Sequence, residues 1–220
     1  VIVGCSASNQ KDRVKLAKTA KIFGAKWYLV QAPEGCKEDE LLELFQEIST
    51  TGPENLMIQD LSWHDQGLAD KDILNLFNKI INFKALKIEV VNSGPKYSRI
   101  LSKTKNSLHL SGGWAVNGLI EAIKRGVHSF IPSTMEVIYN QIYQEAKRGD
   151  FDKARIIFNS ILPIISFTHQ HIDISIMFSK LLRVEEGLFK TSICRGEINN
   201  LDKYQLEEAH INIKKIIFLQ

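Results

Sequence analysis

Apolar residues along the chain follow two alternating rhythms. Short apolar runs occur at Val1–Gly4, Lys26–Gln31 (KWYLVQ), Leu56–Gln59 (LMIQ), Leu86–Val91 (LKIEVV), Ser107–Ser111 (SLHLS) and Ser129–Pro132 (SFIP). Between them the spacing is helical. Lys11–Phe23 carries Leu16, Ala20 and Phe23 on one side, with Val14 and Ala17 beside them and Gly24 closing the stretch. Glu38–Ile48 sets Leu41, Leu42, Leu44, Phe45 and Ile48 on one stripe, and Asp70–Phe83 does the same with Ile73, Leu74, Leu76, Phe77, Ile80 and Ile81. Ser98–Thr104 and Val116–Arg125 read as short helices, the second ending at Gly126. From Ser133 onward the pattern is helical throughout, at about 133–148, 150–163, 168–187 and 202–216. Its junctions are Arg148-Gly149-Asp150, Pro163 and the polar stretch Lys190–Asn200.

Six strands that alternate with helices, at roughly 20 to 30 residues per unit, predict a mostly parallel sheet covered by helices. No Gly-x-Gly-x-x-Gly or Gly-x-x-x-x-Gly-Lys-Ser/Thr loop follows any strand, which weighs against the nucleotide-binding open sheets. The period fits a (β/α)8 TIM barrel, which has eight strands in ~250 residues. The expectation is therefore an α/β fold, a TIM barrel lacking its first two βα units. Residues 1–148 would carry units three to eight and residues 149–220 a C-terminal helical extension. A native parent longer by about two units is expected, because such a gap would otherwise expose sheet edges.

Composition narrows the function. With 44% hydrophobic and 24% charged residues the chain can bury a core, so a disordered protein is excluded. A net charge of +3, evenly scattered, offers no nucleic-acid or anionic-membrane surface. No apolar run approaches the ~18 residues of a membrane span. Cys5, Cys36 and Cys194 are odd in number and far apart, so no disulfide framework is expected and the cytoplasm is the expected compartment.

One strand breaks the rule that parallel barrel strands are apolar on both faces. In Leu86–Val91 the alternation puts Leu86, Ile88 and Val90 on one side and Lys87, Glu89 and Val91 on the other. The apolar set should meet the helices, which turns Lys87 and Glu89 toward the barrel interior. A lysine there is either paired with a counter-charge or held without its proton. A neutral buried amine is the nucleophile that forms a Schiff base with a ketone. Two readings stay open on pattern alone: a structural Lys87–Glu89 ion pair, and a nucleophilic Lys87.

Taken in order, these segments resemble the dihydrodipicolinate synthase and N-acetylneuraminate lyase family. Val1-Ile2-Val3-Gly4 resembles that family's third strand, and Phe23-Gly24-Ala25-Lys26 the approach to its fourth. Gln59-Asp60 ends the fifth, Leu86-Lys87-Ile88-Glu89 lies on the sixth, Ser111-Gly112-Gly113 follows the seventh, and Gly126 to Pro132 surrounds the eighth. Arg148-Gly149-Asp150-Phe151-Asp152-Lys153-Ala154 resembles the linker into the family's C-terminal helices. The resemblance covers essentially the whole chain. It implies a Schiff-base lyase with Lys87 as the imine lysine and a small 2-oxo acid as substrate. It implies neither cofactor nor metal, and a homodimer or homotetramer. Gln59, Asp60, Glu89, Gly112 and Gly113 are the expected substrate-binding residues.

Departures from the family pattern are equally informative. Family members carry Tyr-Asn where this chain has Gln59-Asp60, and a tyrosine pair where it has Pro33-Glu34-Gly35-Cys36. The arginine expected after the fifth strand is absent from Ser62-Trp63-His64-Asp65-Gln66-Gly67. These changes weigh against dihydrodipicolinate synthase proper and resemble the sugar-acid branch, with its aldolases and dehydratases of 2-keto-3-deoxy acids. A catalytically silent homologue that binds a ligand or partner stays open beside the enzyme. His169 and His171 lack companions for a metal site and are expected at the surface or in packing. Cys36 is expected to be an ordinary thiol.

Overall fold

A computed structural model describes residues 1–36, 38–113, 117–195 and 201–220 of the chain. It divides into two compact units, Val1–Ile131 and Pro132–Gln220.

The first unit is built of strand–helix repeats. In order these are β1 (Ile2–Gly4), α1 (Gln10–Ile22), β2 (Trp27–Gln31), α2 (Glu38–Thr50), β3 (Asn55–Leu61), α3 (Asp70–Lys79), β4 (Phe83–Glu89), α4 (Ser93–Lys103), β5 (His109–Gly112), α5 (Leu119–Lys124) and β6 (Ser129–Phe130). Its strands form one sheet in sequential order β1 to β6, and every pair is parallel. This is an α/β fold with a curled half-barrel sheet of six strands, each joined to the next through a helix as parallel neighbours require.

The alternation along each strand decides which side meets the helices. Tyr28, Val30, Leu56, Ile58, Leu86, Ile88 and Leu110 pack with Leu41, Phe45, Ile48, Ile73, Leu76, Tyr97 and Ile100 from the helices, all buried, in one core. The intervening residues of the same strands leave from the opposite face, here termed the inner face. Helix starts follow local chemistry where the sequence supplies it: Asn9 caps α1 by accepting a hydrogen bond from the Asp12 amide.

The second unit is all helical: α6 (Glu136–Lys147), α7 (Phe151–Thr168), α8 (Ile172–Glu185) and α9 (Lys203–Leu219). Asp150 caps α7, and Asp202 with Gln205 forms a reciprocal capping box on α9. Arg183 of α8 ties to Glu136 at 2.7 Å and to Glu186 at 2.6 Å, and Phe167 meets Phe178 edge to face at 5.8 Å.

Three expected boundaries shift. α7 runs straight through Pro163, where a break was expected. Ile161, Ile164 and Ile165 around it are all buried, and that packing outweighs the lost backbone hydrogen bond. α3 stops at Lys79 and β4 begins at Phe83, so the apolar Ile80–Phe83 stretch is shared between a turn and a strand. α4 begins at Ser93, ahead of the expected Ser98, because Pro95 falls in its first turn, where the missing amide costs nothing. The expected start of α5, Val116, lies outside the described residues, as does part of the Lys190–Asn200 stretch.

Candidate active site

The polar residues of the inner face fall into one row. Parallel register matches Gln31 to Gln59, Gln59 to Lys87, Lys87 to Ser111 and Ser111 to Ser129, across β2 to β6. Side chains in register on parallel strands leave the sheet on the same side, so five strands contribute a polar group to one line. At its centre Lys87 Nζ lies 3.1 Å from Glu89 Oε2, and each of these side chains is only 14% exposed. Gln59 Nε2 donates to the same Glu89 oxygen. Lys87 through its ion pair and Gln59 through its hydrogen bond thus meet on Glu89, on the side of β4 away from Leu86 and Ile88.

Glycine is required beside this group. A Cβ at Gly113 would collide with the Glu89 carboxylate, which lies across that backbone. Gly112 is in register with Ile88 on β4 and is buried, so its place is in the sheet beneath the site. Beyond the ends of β3 and β4 opens a cavity of about 370 Å³, lined by Ser62, Trp63, Glu89, Asn92, Tyr97 and Glu121 among others. Glu89 belongs both to its wall and to the lysine pair. Burial pushes the Tyr97 hydroxyl up to about 12, and it donates to the Ile88 carbonyl at 3.2 Å.

Asp60 does not join this group. One residue after Gln59 along β3, it leaves the opposite face, toward the helices, and is almost fully buried. There Lys96 of α4, equally buried, donates to Asp60 Oδ2 at 2.5 Å and to the carbonyls of Gln66 and Leu68 at 2.6 Å each. The other Asp60 oxygen accepts the Leu68 amide at 2.9 Å. All three ammonium hydrogens of Lys96 are used, and the loop from Ser62 to Ala69 is held from beneath. Burial pushes the Asp60 carboxyl upward, and the Lys96 charge opposes it. Gly67, at φ +63°, has no room for a Cβ against Asp60 and Val90. Asp60 was expected to face the substrate with Gln59; strand alternation separates the two.

Lys96 is the second buried lysine, and the sequence reading missed it. Starting the helix at Ser98 left it in a loop, whereas Gly94-Pro95 in a first helical turn would have placed it one turn ahead of Ile100. His109 was also missed. It lies two residues before Ser111 on the inner face, and its Nε2 meets Ser129 Oγ at 2.8 Å. Its ring stacks on His128 at 4.8 Å. Burial first, then His128, holds the His109 imidazole below the usual histidine range.

His169 Nδ1 meets the Ile165 carbonyl at 2.6 Å, and His171 caps α8. Among the described residues no group of three potential metal ligands occurs, and no helix is long and apolar enough to cross a membrane. Burial, reinforced by Glu40, raises the Cys36 thiol, the reverse of what activates a nucleophilic cysteine.

The parallel sheet of sequential strand–helix repeats thus carries a paired lysine on its inner face, with a cavity beyond the C-terminal ends of β3 and β4. Residues 1–216 match the dihydrodipicolinate synthetase family, and the chain belongs to it. Among solved structures it is similar to dihydrodipicolinate synthase from Rhodopseudomonas palustris: 20% identity, TM-score 0.86, 98% of this chain and 74% of that one. It is similar also to N-acetylneuraminate lyase from Fusobacterium nucleatum complexed with pyruvate, at 19% identity and TM-score 0.85, over 98% of this chain and 72% of that one. Dihydrodipicolinate synthase from Aquifex aeolicus matches at 18% identity and TM-score 0.85, over 98% and 74%. At these identities the likeness is one of fold. No curated protein matches the chain by sequence.

Two outcomes are expected. Lys96→Met leaves Asp60 as an uncompensated buried carboxylate and orphans two carbonyls, a loss of ~3–5 kcal/mol in urea unfolding. The double variant Asp60→Asn/Lys96→Met should recover part of it, and two additive losses would contradict the pairing. The second concerns pH. With its folded-state proton affinity depressed, His109 is neutral in the native protein, and its contribution to stability is fully present above about pH 6.5. It is lost as pH falls through that value, because only the unfolded chain then takes up the proton. His109→Gln should flatten the melting temperature between pH 7 and 5 relative to the parent; an unchanged slope would show that His109 is not the group responsible.

Proposed function

We propose that the protein is a Schiff-base-forming lyase, an aldolase or dehydratase, that acts on a 2-oxo acid such as pyruvate or a 2-keto-3-deoxy sugar acid. The observation that carries this reading is the placement of Lys87. Its amine is largely buried on the inner face, 3.1 Å from a carboxylate that also walls the cavity. Family membership supports the same reaction class, and one structural neighbour, N-acetylneuraminate lyase, was crystallised with a 2-oxo acid, pyruvate. The six strands are read as six consecutive staves of an eight-stave barrel, whose active sites lie at the C-terminal strand ends.

The proposed chemistry follows from the contacts. Glu89 accepts a proton from the Lys87 ammonium, which frees the nitrogen lone pair. The amine adds to the keto carbon, the carbonyl oxygen takes one proton from the adding nitrogen and one from Glu89, and it departs as water to leave an iminium ion. The iminium withdraws electrons from the neighbouring carbon, so that a carbon–carbon bond beside it breaks or forms, or a hydroxyl is expelled. Gln59 holds the Glu89 carboxylate from its other side. Where family members place a tyrosine, Gln59 has no titratable proton to relay, so proton transfer falls to Glu89. Gly113 leaves room for the Glu89 carboxylate beside Lys87, and Asp60 holds the loop of residues 62–69 through Lys96.

Borohydride trapping tests the reading. Incubation with pyruvate or a 2-keto-3-deoxy acid, followed by reduction, should add the mass of the acid less one oxygen to the peptide that carries Lys87. Lys87→Arg should abolish both adduct and turnover. Glu89→Gln should retain an adduct but form it at least ~10-fold more slowly. A protein that forms no adduct with any 2-oxo acid would be the silent homologue, which keeps the fold and binds without reacting.

A further inference from the structure

The polar row on the inner face contains one fully buried hydroxyl that bonds to nothing among the described residues. Ser111 of β5 is fully buried, and its hydroxyl oxygen has no hydrogen-bond partner among the described residues. Its neighbours in the row are engaged: Gln59 and Lys87 with Glu89, and Ser129 with His109. Buried hydroxyls in native proteins are almost always satisfied, because leaving one bare forfeits its hydration without return. Ser111 is also the register partner of Lys87 on the adjacent strand, and neighbouring strands lie about 4.8 Å apart, so the two side chains leave the sheet side by side. The sheet thus holds a bare donor next to the amine.

We propose that the Ser111 hydroxyl is a further catalytic group. It donates a hydrogen bond to the oxygen on the keto carbon while the Lys87 amine adds there. This rests on the reading of Lys87 as the imine-forming amine and assigns the oxygen's partner within that step. The new bond joins Nζ to the keto carbon, and the carbonyl π pair moves onto the oxygen, which takes a proton to become the carbinolamine hydroxyl. A second proton lets the oxygen leave as water while the nitrogen lone pair forms the imine. The sum is one amine and one ketone giving one imine and one water. Ser111 keeps its own proton throughout; it stabilises the charge that builds on the oxygen. A donor already desolvated and fixed in the sheet has no reorganisation to undergo when that charge appears.

Ser111→Ala separates this role from a structural one. With pyruvate as the probe and borohydride quenching at timed intervals, the variant should label Lys87 on the order of 100-fold more slowly than the parent. Its melting temperature should stay the same or rise, because the substitution removes an unsatisfied polar atom. Labelling at the parental rate would overturn the proposal. So would a variant that melts well below the parent, since the hydroxyl would then be bonded within the free protein. If the parent itself gives no adduct, the lysine reading fails and this one falls with it; a parent that labels, beside a variant that labels equally fast, sinks only the role of Ser111.

Discussion

The ion pair between Lys87 and Glu89 depends on the faces of one strand being unlike. β4 sends Leu86 and Ile88 into the helix-covered core and Lys87 and Glu89 to the inner side. A single-residue slip in register would drive two charges into the core and two aliphatic side chains out of it. The apolar face therefore fixes the polar one. Everything placed around the lysine (the Gln59 amide, the bare backbone of Gly113, the hydroxyl of Ser111) follows from neighbouring strands held in the same register.

The molecule holds two buried lysines of opposite character. Lys96 is saturated: one carboxylate and two carbonyls take its three hydrogens, and it pins a loop. Lys87 has one carboxylate partner, which it shares with Gln59 and with the cavity wall. The two lysines thus differ in how many of their hydrogens the fold engages. The contrast fits a structural role for Lys96 and supports the proposed chemistry at Lys87.

Much of this was legible in the sequence. The period of strands and helices gives a parallel α/β sheet, and the alternation in Leu86–Glu89 alone turns Lys87 and Glu89 away from the helices. The face Asp60 takes was legible from the alternation with Gln59, but its partner was not, since that lies 36 residues later in a helix that begins ahead of its expected start at Ser98. Ser111 was hidden behind the more conspicuous Gly112-Gly113, and an unsatisfied hydroxyl cannot be seen until its neighbours are placed. Pro163 misled for the opposite reason: a strong local signal gave way to burial on both sides of it. Local rules thus located the elements, while non-local pairings decided which polar side chains share a site.

A crystal structure of the protein soaked with pyruvate addresses the central claim most directly. The account predicts continuous electron density from Lys87 Nζ to the keto carbon of the acid, with Glu89 still at the nitrogen. Pyruvate bound elsewhere, or a lysine turned outward among the helices with no bond to the acid, would contradict it.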